Sequence, residues 1–118
     1  MGRLIFMIAG CLATFAAEAE TLTCTGIDPK WTARIDGAVG TFEITRSEPM
    51  TIPLVTRAER REWPRAFTLL GERDTAIVIV DRNACELGSN TLQHSAVVLT
   101  QRGTTAIMLT GCCAVEAE

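Results

Sequence analysis

The chain has 118 residues, with five cysteines, one histidine, no tyrosine and a formal charge of -3. That length makes a single small domain and excludes a two-lobed catalyst with a cleft between its lobes. The acidic balance and the lack of any Lys/Arg run exclude a nucleic-acid binder, which needs a concentrated basic face to displace counterions.

Met1-Gly2-Arg3 opens the chain with one positive side chain, and an apolar stretch follows from Leu4 to Phe15. This is a signal-peptide pattern; the stretch is too short for a bilayer, which takes about 20 residues. Ala17-Glu18-Ala19 fits the A-x-A cleavage rule, predicting residues 1–19 as leader and 20–118 as a single mature β domain in the periplasm. Ile8-Ala9-Gly10-Cys11 also has the form of a lipobox, in which an acylated Cys11 becomes the first residue of a lipid-anchored envelope protein. Only about five apolar residues precede it, against the usual stretch of about 7–15, so a free periplasmic domain is expected and the structural lipoprotein is the alternative. Either way the protein leaves the cytoplasm, and no later segment is apolar enough for a transmembrane helix.

The mature chain is rich in threonine, a β-branched residue suited to pleated, half-buried surfaces. Trp31–Asp36 alternates apolar and polar, 37–40 supplies a turn, and Thr41–Arg46 alternates again, which predicts a hairpin. Met50–Thr56 predicts a third strand, with Pro53 marking an edge or a bulge. Thr56-Arg57-Ala58-Glu59 has a capping-box pattern and predicts one or two helical turns before Pro64, in competition with a strand extension carrying charged residues. Arg65–Leu70, Thr75–Asp81, Ser95–Thr100 and Thr104–Thr110 complete about seven strands. Ala76–Val80 shows no polar alternation and predicts a central strand covered on both faces. Gln101-Arg102-Gly103 predicts a tight turn. Short strands at regular spacing make an all-β fold, a small antiparallel barrel or sandwich; closing the sheet removes exposed edges.

Removing the leader removes Cys11 and leaves Cys24, Cys85, Cys112 and Cys113, an even number in an oxidising compartment. Two disulfides follow. A bond between the adjacent Cys112 and Cys113 closes a strained ring, so two pairings stay open. On a strand, neighbouring side chains point to opposite faces, and Cys112-Cys113 therefore reads as a hub tying the last strand to the N-terminus and to the middle of the chain. The competing reading is a thiol-redox or metal protein using Cys112, Cys113 and His94. Neither C-x-x-C nor a spaced Cys/His set supports it, and no cofactor or metal is expected.

The segment Cys24-Thr25-Gly26-Ile27-Asp28-Pro29-Lys30-Trp31 resembles a family of small secreted bacterial envelope proteins of uncharacterised function. That family carries a Gly-x-Glu-Pro-x-Trp segment, a central cysteine with a short loop, and a terminal Gly-Cys or Gly-Cys-Cys. Gly26, Pro29 and Trp31 match, with Asp28 in place of glutamate, as do Cys85, Gly88 and Gly111-Cys112-Cys113. Leu87 and Ser89 replace the family's Asp and Met, and His94-Ser95 replaces an aromatic and a proline, so an activity carried by that loop is altered here. The resemblance implies the pairing Cys85 with Cys112 and Cys24 with Cys113. The layout is also similar to that of periplasmic c-type lysozyme inhibitors, which are disulfide-bearing antiparallel barrels; this similarity is architectural, and fold does not fix function.

His94 is the one general-base candidate, with Ser89 or Ser95 and Asp81 as triad partners. The chain lacks a nucleophile elbow and a Gly-rich oxyanion loop, so a surface or loop histidine is expected. Asp28, Asp36, Glu43, Asp74 and Asp81 lie at strand ends, where carboxylates serve turns. Arg57, Arg60, Arg61 and Arg65, with Trp63 among them, form the best candidate binding surface, since guanidinium forks suit carboxylates or phosphates and an indole can anchor the contact. Glu59 and Glu62 interrupt that segment, and a charge-compensated solvated loop is the competing reading. Aromatics are too few for a stacking platform, and Trp31 is expected in the core. The sequence thus predicts a non-enzymatic exported domain that binds an envelope protein or other macromolecule as an inhibitor or accessory; it does not set the oligomeric state.

Overall fold

Buried and exposed positions alternate along most strands between residues 20 and 117, the pattern of a sheet with one face inward. A computed structural model describes residues 20–102 and 104–117; the expected leader, the lipobox at Cys11 and the turn glycine Gly103 lie outside them. The strands are β1 (Glu20–Ile27), β2 (Lys30–Asp36), β3 (Val39–Glu43), β4 (Ser47–Arg57), β5 (Arg65–Leu70), β6 (Thr75–Asp81), β7 (Cys85–Leu87), β8 (Asn90–Leu92), β9 (His94–Arg102) and β10 (Thr105–Ala117). Eight of them close an antiparallel barrel in the order β1-β10-β9-β6-β5-β4-β3-β2, and β7-β8 forms a separate hairpin. The fold is the barrel of the two expected alternatives. Its additional wall strand is β1, where Leu22, Cys24 and Gly26 turn inward between half-buried Thr23 and Thr25.

The predicted hairpin is β2–β3, but β3 ends at Glu43 and the turn is confined to 37–38. The capping-box segment forms no helix. Thr56 and Arg57 continue β4, and the loop closes through Ala58 N–H donating to the Pro64 carbonyl at 3.0 Å. Arg60 in this loop has a left-handed backbone with φ 62°.

Two strands serve both halves of the barrel. Residues 47–51 of β4 pair with β3, and residues 51–57 pair with β5 across a bulge between Thr51 and Leu54. The bulge lies beside Pro53, as the sequence predicts. Residues 105–113 of β10 pair with β9, while residues 112–117 pair with β1. The wall is therefore a five-stranded sheet, β4-β5-β6-β9-β10, continued at its corners into the sheet formed by β10, β1, β2, β3 and β4.

The core collects the inward residues of both sheets, including Leu22, Trp31, Ile35, Phe42, Phe67, Leu69, Val78, Val80, Val98 and Leu109. Trp31 is buried as expected, and its indole N–H donates to the Thr110 carbonyl at 3.0 Å. Two glycines make room for this ring. A Cβ on Gly26 would lie 2.0 Å from Trp31 Nε1, and one on Gly111 would lie 2.7 Å from Trp31 Cζ2 and 2.1 Å from the Thr25 carbonyl oxygen. The motif residues Gly26, Trp31 and Gly111 are thus one packing unit at the β1–β10 seam.

Cys113 points inward to Cys24, and Cys112 points outward to Cys85 on β7. This is the pairing that the resemblance implies, and the opposed faces are those expected of adjacent strand residues. The bridges span 89 and 27 residues of sequence, worth about 4.5 and about 3.5 kcal/mol as upper limits in the chain-entropy model.

Candidate functional site

Strand β6 is central, between β5 and β9, yet only one of its faces is covered. Ala76, Val78 and Val80 are buried inside the barrel, whereas Ile77 and Ile79 point outward with no described element above them. The expectation that 76–80 is covered on both faces is corrected here. An uninterrupted apolar run reads the same whether its second face meets protein or solvent.

Register extends this face across the whole sheet. Leu54, Thr68, Ile77, Leu99 and Met108 are successive cross-strand neighbours on β4, β5, β6, β9 and β10. Beside them run Thr56, Ala66, Ile79, Val97 and Thr110. None of these side chains is charged. Leu54 is 56% exposed, Ile77 39%, Leu99 40% and Met108 65%, and together they form one connected patch rather than scattered surface residues.

At one end the patch meets the β7–β8 hairpin, which Cys85–Cys112 and a Cys85 Sγ contact of 3.3 Å to the Gly111 carbonyl hold against β10. Gly88, with φ 62°, makes the hairpin turn. Between hairpin and wall lies a groove of about 410 Å³ lined by Ile27, Leu87, Val97 and Thr110, with the acidic residues Asp28 and Glu86 also in its lining. Of the motif residues, Asp28, Gly26 and Gly111 line this groove, the two glycines also making room for Trp31; Gly88 sits in the hairpin turn and Pro29 is exposed in the β1–β2 turn.

The Arg-rich segment divides. Arg57, Arg60 and Arg61 are exposed, but Arg65 is buried at the barrel mouth. Its Nε donates to the Glu62 carbonyl at 3.0 Å and its Nη2 to Glu62 Oε1 at 3.1 Å, with Nη1 3.6 Å from Glu20 Oε2. The guanidinium carbon sits 4.0 Å from the ring centroid of half-buried Trp63, which in turn lies 4.7 Å from the His94 ring. Arg65 and Trp63 are committed to closing the barrel, so the expected five-residue binding surface reduces to three exposed arginines.

His94 is buried rather than a surface histidine, because Trp63 folds over it from the β4–β5 loop. Desolvation, aided by the nearby charges of Arg82 and Arg65, holds its pKa below the ordinary value of 6.5; Glu20 and Asp81 oppose this. Among the described residues no hydrogen bond joins His94 to Ser89, Ser95 or Asp81; the Asp81 carboxylate instead accepts the Arg82 backbone N–H at 2.8 Å. Cys112 and Cys113 are both consumed in disulfides, which leaves no thiolate at the vicinal pair.

No family model, no curated protein and no solved structure matches the chain. The apolar wall was present in the sequence as the uncharged alternate residues of β5, β6, β9 and β10, but recognising it as one face requires the register.

Proposed function

We propose that the chain is a non-enzymatic exported domain of the periplasm or envelope that binds another macromolecule, in an inhibitory or accessory role. The observation that carries this reading is the uncharged apolar wall, exposed from edge to edge of the five-stranded sheet and continuous with the hairpin groove. A contiguous exposed apolar patch on a small protein is costly in water and is characteristic of an interaction surface. The two disulfides suit an oxidising compartment. Asp28 and Glu86 at the groove favour a partner that brings basic groups to the edge of an apolar contact.

The test is retention of a partner from periplasmic extract on immobilised protein, compared with the Leu99→Lys variant. Wild type is expected to retain a specific partner that the variant loses; a wild type that retains none overturns the proposal. The inhibitor form has its own assay, in which c-type lysozyme activity unchanged at micromolar protein excludes it.

A further inference from the structure

Because β10 turns the corner of the barrel, its first half has a neighbour on one side only among the described residues. Residues Thr105 to Cys113 stand opposite β9, and β1 joins β10 only from Cys112 onward. The Thr110 carbonyl accepts the Trp31 indole N–H on the side away from β9. Strand parity then turns the N–H and C=O groups of Ala106 and Met108 to that same side, where no described strand pairs with them. Ala106 and Met108 are both exposed.

The corresponding overhang on β4 is guarded. It carries Pro53, a bulge between Thr51 and Leu54, and Arg57. Proline, bulges and charges are the usual means of blocking strand addition. The β10 overhang, Thr105-Ala106-Ile107-Met108-Leu109-Thr110, has none of them.

We propose that this edge pairs with the same edge of a second copy of the chain, antiparallel about a two-fold axis at Ile107. Ala106 of each copy then exchanges backbone hydrogen bonds with Met108 of the other. Three features favour a second copy. About that axis the segment sets Ala106 opposite Met108, Thr105 opposite Leu109 and Ile107 opposite itself, so the edge meets its own copy through small or apolar partners only. It is uncharged, so two chains of net charge -3 meet without like charges at the seam. The guarded β4 edge stops addition at two copies instead of allowing a growing sheet. The pairing also sets Met108 beside Ala106 of the second copy on the outer face, burying part of the most exposed apolar side chain of the wall. The seam is short, well below the roughly 800 Å² per partner of a standard interface, so the dimer is weak.

Failure of this inference is distinguishable from failure of the partner proposed for the wall, because its readouts are self-association of the purified protein and amide exchange at the edge, with no partner present. Sedimentation equilibrium of the purified protein from about 10 µM to about 1 mM is expected to show a monomer–dimer equilibrium, with amide exchange at Ala106 and Met108 slowing as the dimer forms. Met108→Pro removes an N–H that faces the open edge and none from the β9 ladder. It is expected to stay monomeric at every concentration, with wild-type circular dichroism. Should Met108→Pro misfold, Ala106→Lys with Met108→Lys places charges on the same edge without touching the backbone and is expected to be monomeric. A wild type that is monomeric throughout overturns the proposal, as does a dimer in which the Ala106 and Met108 amides exchange at the monomer rate. A monomer whose edge amides gain protection only with a different protein assigns the edge to that protein and also overturns it.

Discussion

Gly26→Ala tests the packing unit at the β1–β10 seam. The new Cβ would lie 2.0 Å from Trp31 Nε1 and 2.6 Å from the Thr110 carbonyl oxygen, and neither atom is the free end of a flexible side chain. To make room the indole must leave its position, breaking the 3.0 Å bond to Thr110. The lost hydrogen bond is worth about 1 kcal/mol and the overpacking about 1–3 kcal/mol, so the expected loss is about 3 kcal/mol. For a domain near this size that lowers Tm by about 12–24 °C. Guanidinium denaturation of the oxidised protein, followed by far-UV circular dichroism, measures the loss directly. The cause is tested in a Trp31→Phe background, where the colliding nitrogen and its bond to Thr110 are absent and the softer contacts with a ring carbon, 2.5 Å for Trp31 Cδ1, and with the Thr110 carbonyl remain. There Gly26→Ala is expected to cost about 1 kcal/mol, a coupling expected of residues in direct contact. An equal cost in both backgrounds, or a loss below about 1 kcal/mol in the wild type, refutes the reasoning.

Arg65→Ala is expected to cost about 2–3 kcal/mol, since it strips a buried guanidinium from Glu62, Glu20 and the Trp63 ring. Arg65→Lys should recover less than half of this because an ammonium cannot both fork to Glu62 and stack on the indole; Arg57→Ala and Arg61→Ala, on exposed side chains, should stay within about 0.5 kcal/mol. The folded state holds His94 neutral below its ordinary pKa of 6.5, so between that value and the lower folded pKa the unfolded chain binds the extra proton. Stability therefore falls as pH drops through that window and levels off below it; denaturation of wild type and His94→Gln from about pH 7.5 to about pH 5 should show the added slope in the wild type alone. Replacing Cys85 and Cys112 together by alanine should cost up to about 3.5 kcal/mol, and replacing Cys24 and Cys113 up to about 4.5 kcal/mol, by denaturant titration. Thiol titration of the mature protein in denaturant should find no free thiol, and one reactive equivalent would count for the redox reading of Cys112-Cys113.

Local pattern made much of the barrel legible. Trp31–Asp36 declares itself by short-range periodicity and falls in β2, because a strand's inward and outward positions are set by a two-residue repeat; Arg65–Leu70 and Thr75–Asp81 stand out as short segments between turn signals and become β5 and β6. Pro53 announced the bulge in β4 for an equally local reason, since it has no N–H to give the ladder. Ser95–Thr100 and Thr104–Thr110 were also visible, but not that the latter continues to Ala117 and changes neighbours on the way. That exchange depends on barrel closure, which joins residues about as far apart as the chain allows.

The barrel mouth was legible only in part. Arg57, Arg60, Arg61 and Arg65 look alike in sequence, but the β4–β5 loop carries Trp63 over His94 and seats Arg65 against it, leaving the others in solvent. Burial of a cation is decided by what folds over it, and neighbouring residues along the chain do not reveal that.

By itself the sequence determined the strand pattern, two disulfides among the four cysteines from Cys24 onward, and a core place for Trp31, each a consequence of composition or local periodicity. The tertiary structure alone decided that the outer side of β6 stays open, that Arg65 is a structural residue, and that β10 presents an unguarded edge. These depend on strand register and on the corners of a closed sheet, where residues distant in sequence determine which groups are paired and which face the solvent.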